Sequence, residues 1–202
     1  VRLNPDADRQ HLFLCATLGK CVEQWDLRTG RAEVTYGEHM DAVNAVIFTD
    51  NNKKFVSFGD DRKALLWEFG VPLVVRSIQD NDLPSITHAE LHPSHDFLLA
   101  QSALNKLCVF DLHGNALRFV PKKKFAGHAT AGFSIAPTLS PDGKIVASGD
   151  QAGRLFFWDW KSSGILRTLD GHAQTCTGVA WHPVLPSTLL SYSWDGTLRM
   201  WE

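Results

Sequence analysis

Serine, histidine and aspartate recur together in this sequence, and the three residue types could form a hydrolytic triad. One trio is His39, Ser57 and Asp61, and another is His172, Ser191 and Asp195. In such a triad the serine attacks the substrate, the histidine takes its proton and the aspartate orients the histidine. Both trios recur with the spacing of a longer repeat, however, and no Gly-x-Ser-x-Gly segment marks a nucleophile. We therefore predict that these side chains are structural and that the protein is not an enzyme.

A cluster of histidines, His88, His92 and His95, contains a residue type that commonly binds transition metals. His92-Pro93 and His182-Pro183 occupy equivalent positions in two repeats, so repeat geometry accounts for His92. We predict no metal site. The sequence also lacks a Gly-x-x-x-x-Gly-Lys loop for phosphate, and we predict no cofactor and no small-molecule substrate.

The repeat is defined by an aromatic residue that closes five similar segments. Consecutive members are 42 to 48 residues apart, which fits the roughly 40–45-residue period of a four-stranded propeller blade. In three segments a histidine lies 28 to 30 residues before the aromatic residue. The aromatic residues are Trp25, Trp67, Phe110, Trp158 and Trp201, and the histidines are His39, His128 and His172.

Short β-rich runs and tight turns fill each repeat. Turns are predicted at Ser140-Pro141-Asp142-Gly143 and at Asp195-Gly196, whose residue types favour chain reversal. No segment has sustained helical periodicity, so the sequence predicts an all-β protein. In one repeat the strands are expected over residues 43–48, 54–58, 64–67 and, after Pro72, 73–78.

These markers resemble the WD-repeat family, in which a His, a Ser or Thr, an Asp and a Trp are hydrogen-bonded within a blade. The resemblance implies a β-propeller whose tetrads satisfy buried polar groups. Two sets are complete, a third has Ala152 in the Asp place, and the blade ending at Phe110 has Ala100 and Leu104 in the Ser and Asp places. The sets are His39, Ser57, Asp61 and Trp67; His172, Ser191, Asp195 and Trp201; and His128, Ser148 and Trp158.

The same resemblance implies a domain organisation. Residues 1–202 are expected to be the C-terminal part of a single propeller, about four and a half blades of a ring of about seven. Because the chain begins with Val1 and not Met, we expect it to start inside a longer protein. The blades are expected to end near Asp26, Glu68, Asp111, Asp159 and Glu202.

Three segments between Phe125 and Lys161 are more distinctive: Gly127-His128, Ala131-Gly132-Phe133 and Trp158-Asp159-Trp160-Lys161. With them, nearly the whole chain resembles the C-terminal propeller of a family of pre-mRNA splicing factors that act around the second catalytic step. This resemblance implies a nuclear, non-enzymatic component of the spliceosome, a large ribonucleoprotein, that docks splicing proteins. It leaves open whether small nuclear RNA or pre-mRNA is contacted directly.

Trp25-Asp26-Leu27-Arg28 supports an alternative function. It resembles the Trp-Asp-x-Arg motif of WD-repeat substrate receptors for cullin ubiquitin ligases. Arginine is common at this place in WD repeats, so the motif alone separates the two functions poorly.

Trp194 is a candidate partner contact because it lies in the tight turn before Asp195. A large aromatic residue in an exposed turn either anchors a partner or packs on a neighbouring loop. Asp60 and Gln151 hold the equivalent turn positions in two other repeats, and we predict that all three lie on one face.

The charge of the chain is close to balanced, with 20 basic and 22 acidic residues and a net charge of −2. This balance argues against a dominant nucleic-acid-binding domain, which carries a strong basic excess. The single basic run is Lys122, Lys123 and Lys124. It either protects an outer strand from edge pairing or contacts RNA phosphates.

Four cysteines, Cys15, Cys21, Cys108 and Cys176, form no Cys-x-x-Cys pair. Scattered cysteines of this kind are typical of a reducing, intracellular compartment. No run approaches the 18 apolar residues of a membrane-spanning helix, and we predict no membrane partner.

Overall fold

The structure, a computed structural model, describes residues 1–49, 52–80, 82–185 and 187–202. Across these ranges the chain forms short β-strands and two 3-10 turns, at Ala7–Arg9 and His113–Asn115. The strands are β1 (Arg2–Leu3), β2 (Leu12–Ala16), β3 (Val22–Asp26), β4 (Arg31–Tyr36), β5 (Val43–Thr49), β6 (Lys54–Gly59), β7 (Lys63–Glu68), β8 (Val71–Gln79), β9 (Ile86–Leu91), β10 (Phe97–Ser102), β11 (Lys106–Asp111), β12 (Arg118–Ala126), β13 (Thr138–Leu139), β14 (Ile145–Gly149), β15 (Arg154–Asp159), β16 (Ile165–Asp170), β17 (Cys176–Trp181), β18 (Leu189–Ser193) and β19 (Leu198–Trp201).

The described strands form five sheets in which sequence neighbours pair with one another. Four sheets have four strands, in the orders β1-β2-β3-β4, β5-β6-β7-β8, β9-β10-β11-β12 and β13-β14-β15-β16, and the fifth has three, β17-β18-β19. The resolved pairings are antiparallel, with Phe55 opposite Trp67 in one sheet and Val146 opposite Trp158 in another. The prediction of an all-β protein built from repeated blades is confirmed.

The hairpins between the second and third strands share one backbone feature, although their loops have three to five residues. Each turn contains one residue with a left-handed backbone, as short hairpin loops commonly do. These residues are Lys20 (φ 67°), Arg62 (φ 56°), Asn105 (φ 58°), Gly153 (φ 80°) and Gly196 (φ 77°). Two residues before them stand Leu18, Asp60, Ala103, Gln151 and Trp194, so these five positions are structurally equivalent.

The strands predicted around Trp67 are present, and the fourth is longer than expected. β8 begins at Val71 and includes Pro72, where the sequence predicted a restart. The register shifts between Leu66 and Glu68, so β8 bends at that point. Proline is tolerated because β8 is an edge strand and its missing N–H removes no ladder hydrogen bond.

Contacts divide the chain into two compact units, residues 1–86 with 111–119 and residues 87–110 with 120–202. The first unit has a core that includes Leu14, Tyr36, Phe55 and Trp67. The second has one cluster around Phe125 and Trp158 and another around Leu155, Cys176 and Val179. The prediction of a single domain over residues 1–202 stays a prediction.

All four cysteines are free thiols, and Cys108 and Cys176 are buried. Burial raises the pKa of both thiols to about 11, which makes them small apolar side chains at neutral pH. Neither of the two helical turns in the described ranges has the length and apolar character needed to cross a bilayer.

Candidate partner-binding surface

The first unit contains the tetrad of His39, Ser57, Asp61 and Trp67. Trp67 Nε1 donates to Ser57 Oγ at 2.8 Å, and the same oxygen lies 2.8 Å from His39 Nε2. His39 Nδ1 lies 3.0 Å from Asp61 Oδ2. The carboxylate of Asp61 can only accept, so His39 Nδ1–H donates to it and His39 Nε2 is the acceptor. Indole N–H can only donate, so Ser57 Oγ accepts from Trp67 and donates its own hydrogen bond to His39 Nε2.

The carboxylate of Asp61 also fixes the local backbone, because it accepts from Met40 N and Lys63 N. Burial raises its pKa, but the hydrogen bonds from Met40 N–H and His39 lower it by more, so the pKa of Asp61 is below its usual value. The network therefore ties the segment before β5 to the β6–β7 turn. It does not expose a nucleophile, since Ser57 is fully buried.

The second unit contains the tetrad of His172, Ser191, Asp195 and Trp201. Ser191 Oγ accepts from Trp201 Nε1 at 2.9 Å and lies 2.7 Å from His172 Nε2. His172 Nδ1 contacts both Thr197 Oγ1 and Asp195 Oδ2. The hydrogen bond from Thr197, with others from the backbone, lowers the pKa of Asp195, which is ionised at neutral pH.

The structure does not bring the third predicted set together. His128 Nε2 pairs with Gln101 Oε1 at 3.0 Å, Trp158 Nε1 donates to Ala126 O, and Ser148 Oγ donates to Gly149 O. The carbonyl of Gln101 requires the proton on Nε2, the opposite tautomer from His39, and that nitrogen cannot accept from a serine.

The third set does not assemble because Ala152 supplies no carboxylate that could accept from Nδ1–H of His128. The Nδ1 atom of His128 is buried and has no hydrogen-bond partner. Burial lowers the pKa of His128 to about 4, so the ring is neutral at pH 7. Asp150 takes over the turn, accepting from Ala152 N and Arg154 N and pairing with the Arg154 guanidinium at 2.6 Å.

In the cluster of histidines, His92 is held by hydrogen bonds within this chain. His92 is buried, with Nδ1 2.9 Å from Ser94 Oγ and Nε2 3.1 Å from Gly143 O. Its ring also packs on Trp160, with centroids 4.5 Å apart. Both nitrogens of His92 are therefore occupied by this chain.

The candidate contact Asp60, and Arg28 of the Trp-Asp-x-Arg motif, are both held by neighbours in the first unit. The carboxylate of Asp60 accepts from Asn44 Nδ2 and from Ser85 Oγ, each at 2.6 Å. The guanidinium of Arg28 turns back onto Asp26, with Nη2 2.8 Å from Oδ2, and this pairing lowers the pKa of Asp26 to about 2.

The basic run is split by strand alternation. Lys122 and Lys124 are exposed on β12, whereas Lys123 points the other way. The ammonium of Lys123 sits over the ring of Trp160, with Nζ 4.2 Å from its centroid. Burial lowers the pKa of Lys123, so the run does not present three equivalent charges.

Trp194 in the second unit both packs on a neighbouring loop and stays accessible. Its ring meets Phe133 edge to face, with centroids 4.9 Å apart and planes at 75°. Trp194 keeps 57% of its surface exposed and Phe133 keeps 40%. We call these two residues, with their chain neighbours Ser134 and Ser193, the aromatic patch.

Both halves of the aromatic patch are held by backbone hydrogen bonds. Trp194 N donates to Thr175 O at 3.1 Å, and Thr175 Oγ1 donates to Gln151 O, so the turns of Trp194 and Gln151 are joined through Thr175. The Phe133 loop is fixed by Asn105, whose Oδ1 accepts from Thr130 N, Thr130 Oγ1 and Ala131 N. The patch is therefore a fixed surface.

Comparison with known proteins agrees with the repeat geometry. The family model for the WD domain, G-beta repeat, matches residues 30–68, 119–159 and 163–202, together more than half of the chain. The chain belongs to the WD40 repeat family. Phe133 lies within the second matched WD40 repeat and Trp194 within the third.

Three relatives that match this chain are named Pre-mRNA-processing factor 17. Pre-mRNA-processing factor 17 of Homo sapiens and that of Mus musculus are each 36% identical over 202 residues, all of this chain. The factor of the same name from Saccharomyces cerevisiae is 34% identical over 178 residues, or 86% of this chain. The chain spans 35% of the length of the two mammalian relatives and 39% of the yeast one. The resemblance to a splicing-factor family stated from the sequence is confirmed.

Sequence reasoning missed four residues that shape this WD40 surface: Gln101, Asn105, Phe133 and Trp160. Asparagine is the non-glycine residue best suited to a left-handed turn, so Asn105 carried a signal. Phe133 was part of a distinctive segment but was not read as a contact. Trp160 was likewise part of a distinctive segment, but nothing in the sequence indicated its contact with His92. Gln101 carried no signal, because its partner His128 is 27 residues away along the chain.

Proposed function

We propose that this protein is a non-enzymatic docking component of the nuclear splicing machinery and that the aromatic patch contacts partner proteins. The observation that supports this most directly is the exposed edge-to-face pair of Phe133 and Trp194. Large aromatic side chains held rigidly at a surface are typical anchors of protein interfaces, because they lose little conformational entropy on binding.

The setting of the pair supports binding over a purely structural role. A core aromatic pair in this chain, such as Phe55 and Trp67, is fully buried, whereas the rings of the aromatic patch keep much of their surface in water. In the two complete Ser-His-Asp sets, the side chains are hydrogen-bonded to other members of the same set and to the backbone. Chemistry at those sets would require breaking the networks that hold the hairpins.

The splicing assignment rests on relatives named Pre-mRNA-processing factor 17, two of which align with the full chain and one with 86% of it. We infer that this chain shares with them a place among splicing proteins in a large ribonucleoprotein, acting around the second catalytic step, and a nuclear location. The alternative of a substrate receptor for a cullin ubiquitin ligase has less support, because Arg28 is paired with Asp26 within its own motif.

The test is recovery of partners from nuclear extract with the tagged protein. We expect splicing proteins and small nuclear RNAs with the wild type, and at least about tenfold less splicing protein with Trp194→Ala. Leu18→Ala is the matched control, since Leu18 holds the equivalent hairpin position, is 87% exposed and belongs to the first unit. Leu18→Ala should melt within about 2 °C of the wild type, as surface substitutions do. Trp194→Ala should lose no more than about 6 °C, because the ring pair it removes is worth about 0.5–1.5 kcal/mol and 1 kcal/mol shifts the melting temperature by about 2–4 °C.

Two results would contradict the proposal. One is recovery of a cullin and its adaptor without small nuclear RNA, which favours the alternative. The other is unchanged recovery of splicing proteins with Trp194→Ala, which removes the aromatic patch from the interface. Direct RNA contact is tested separately through Lys122 and Lys124, the exposed members of the basic run.

A further inference from the structure

The hydrogen-bonding capacity of the aromatic patch is one-sided. Ser134 Oγ donates its proton to Thr87 O at 3.2 Å, and Ser193 Oγ donates its proton to Gln174 O at 3.1 Å. A hydroxyl has one proton and two lone pairs. Ser193 Oγ also accepts from Asp195 N at 3.1 Å, which leaves it one lone pair. Both serines have therefore used their donor within the chain, and each keeps a lone pair with which it can accept from a partner.

The rings add to this electronegative character. The face of an aromatic ring carries the negative part of its quadrupole, and an edge-to-face pair leaves ring faces toward solvent when both rings are exposed. Trp194 has the strongest such face of the aromatic residues. No residue of the aromatic patch is basic, so the patch contains no cation of its own to satisfy these groups.

The nearest ionisable chain neighbours reinforce the same sign. Asp195 follows Trp194 directly and is ionised, held by His172 and Thr197. Asp150, next to Gln151, is neutralised by Arg154, whose Nε and Nη2 lie 2.9 and 2.6 Å from its Oδ2. The fixed charge beside Trp194 that is not cancelled by a basic residue is therefore negative.

We propose that the aromatic patch binds an arginine side chain of a partner protein, which rests on the proposed docking function and names the chemistry of its occupant. A guanidinium is planar, so it can stack on the indole of Trp194. Its N–H groups can at the same time donate to Ser134 Oγ and Ser193 Oγ. A lysine ammonium carries the same charge but is not planar, and an aliphatic side chain is neither charged nor planar.

The purified chain can be titrated with a short peptide while the indole N–H signals of its seven tryptophans are followed by NMR. The probe is a Gly-Ser peptide with blocked ends, whose single charge is that of one central arginine. Matched peptides carry lysine or citrulline, the neutral analogue that keeps the shape of arginine. The signal that disappears in Trp194→Phe identifies the Trp194 indole.

We expect the arginine peptide to shift the Trp194 signal and the citrulline peptide to bind roughly threefold to thirtyfold more weakly. The lysine peptide should fall between them. Trp194→Phe lacks the indole signal, so its binding is followed through the backbone amide signals of Ser134 and Ser193; it should keep part of the affinity because it keeps a ring face. Leu18→Ala should bind like the wild type. A double Ser134→Ala, Ser193→Ala variant should narrow the preference for arginine over lysine, since it removes the two acceptors.

Equal affinity for the arginine and citrulline peptides, or no shift with any peptide at millimolar concentration, would overturn the arginine proposal. The docking proposal has a separate outcome. If Trp194→Ala still loses splicing proteins from extract while citrulline binds as well as arginine, docking stands and its occupant is not arginine. If Trp194→Ala retains them, docking at the patch fails.

Discussion

Phe133, in the loop between β12 and β13, and Trp194, in the β18–β19 hairpin, meet edge to face at 4.9 Å, with both rings partly exposed. Because the two rings are in contact, each limits the motion of the other. An aromatic pair of this geometry is worth about 0.5–1.5 kcal/mol beyond the area it buries. The pair is therefore held in place without being removed from solvent, which is what an interface anchor requires.

The two rings should act as a unit. We predict that Phe133→Ala lowers the recovery of splicing proteins as Trp194→Ala does, and that the double variant is little worse than either single one. Residues in contact give non-additive effects because each ring positions the other. Strictly additive losses in a double-mutant cycle would mean that the rings bind separate partners.

Asn105 should influence binding without lying in the aromatic patch. Asn105→Ala removes an acceptor shared by Thr130 N, Thr130 Oγ1 and Ala131 N, and places alanine at a left-handed φ of 58°. We expect a loss of about 1–3 kcal/mol in stability of the Phe133 loop, seen as faster amide exchange at Thr130 and Ala131. Asn105→Gly separates the two effects, since it removes the acceptor but tolerates the backbone.

Two buried serines in the same unit should respond differently to removal of their hydroxyl. Ser191→Ala leaves Trp201 Nε1 and His172 Nε2 without a partner, which costs about 2–4 kcal/mol at roughly 1–2 kcal/mol for each group. Ser148→Ala loses one bond, to Gly149 O, and should cost about 1 kcal/mol or less. Urea unfolding of the two variants measures the difference, and equal losses would indicate that Ser148 also belongs to a tetrad.

Acid should destabilise the protein in two separate pH windows. The pKa of His128 falls from 6.5 to about 4 on folding, so the unfolded chain binds this proton more tightly. Stability from this group is therefore complete above about pH 6.5 and decreases by about 3 kcal/mol as the pH falls to 4. The pKa values of Asp61 and Asp142 are lowered, so their contribution is lost only below about pH 4.

The variant His128→Gln removes this titrating ring and should reduce the slope of the stability profile between pH 6.5 and 4 while leaving the steeper loss below pH 4. A smaller slope remains, because burial also lowers the pKa of His92. The measurement is urea unfolding at half-unit pH steps. An unchanged slope in the variant would place the titrating group elsewhere.

The exposed lysines of β12 should protect an edge strand. In the sheet order β12 is terminal, and we predict that Lys122→Val with Lys124→Val increases aggregation, because the charges that block edge pairing are lost. Lys122→Glu with Lys124→Glu should stay soluble and keep its recovery of small nuclear RNA. A steep loss of RNA with the glutamate pair, largest at low salt and smaller as the salt concentration rises, would show that these lysines contact phosphates.

Much of the fold and part of the site could be predicted from sequence because their signals are local. The aromatic residue closing each third strand, the turn at Ser140-Pro141-Asp142-Gly143 and the left-handed turn residues all act within one hairpin. The hydrogen-bonded sets around Ser57 and Ser191 follow for the same reason, since each member keeps a fixed distance along the chain.

Other features required the tertiary structure because their partners have no fixed spacing. Gln101 in β10 accepts from His128, which follows β12, and so sets its tautomer; a set that looks nearly complete in sequence therefore does not assemble. Likewise, Lys123 lies over the ring of Trp160, so it is not exposed together with Lys122 and Lys124.

The sequence by itself determined the repeat and the position of Trp194 in an exposed turn, since hairpin geometry depends on residue types a few positions apart. Only the tertiary structure decided that Trp194 contacts Phe133 and that the hydroxyls of the neighbouring serines donate their hydrogen bonds within the chain. Those contacts join loops that are distant in the chain, and the packing of whole sheets brings them together.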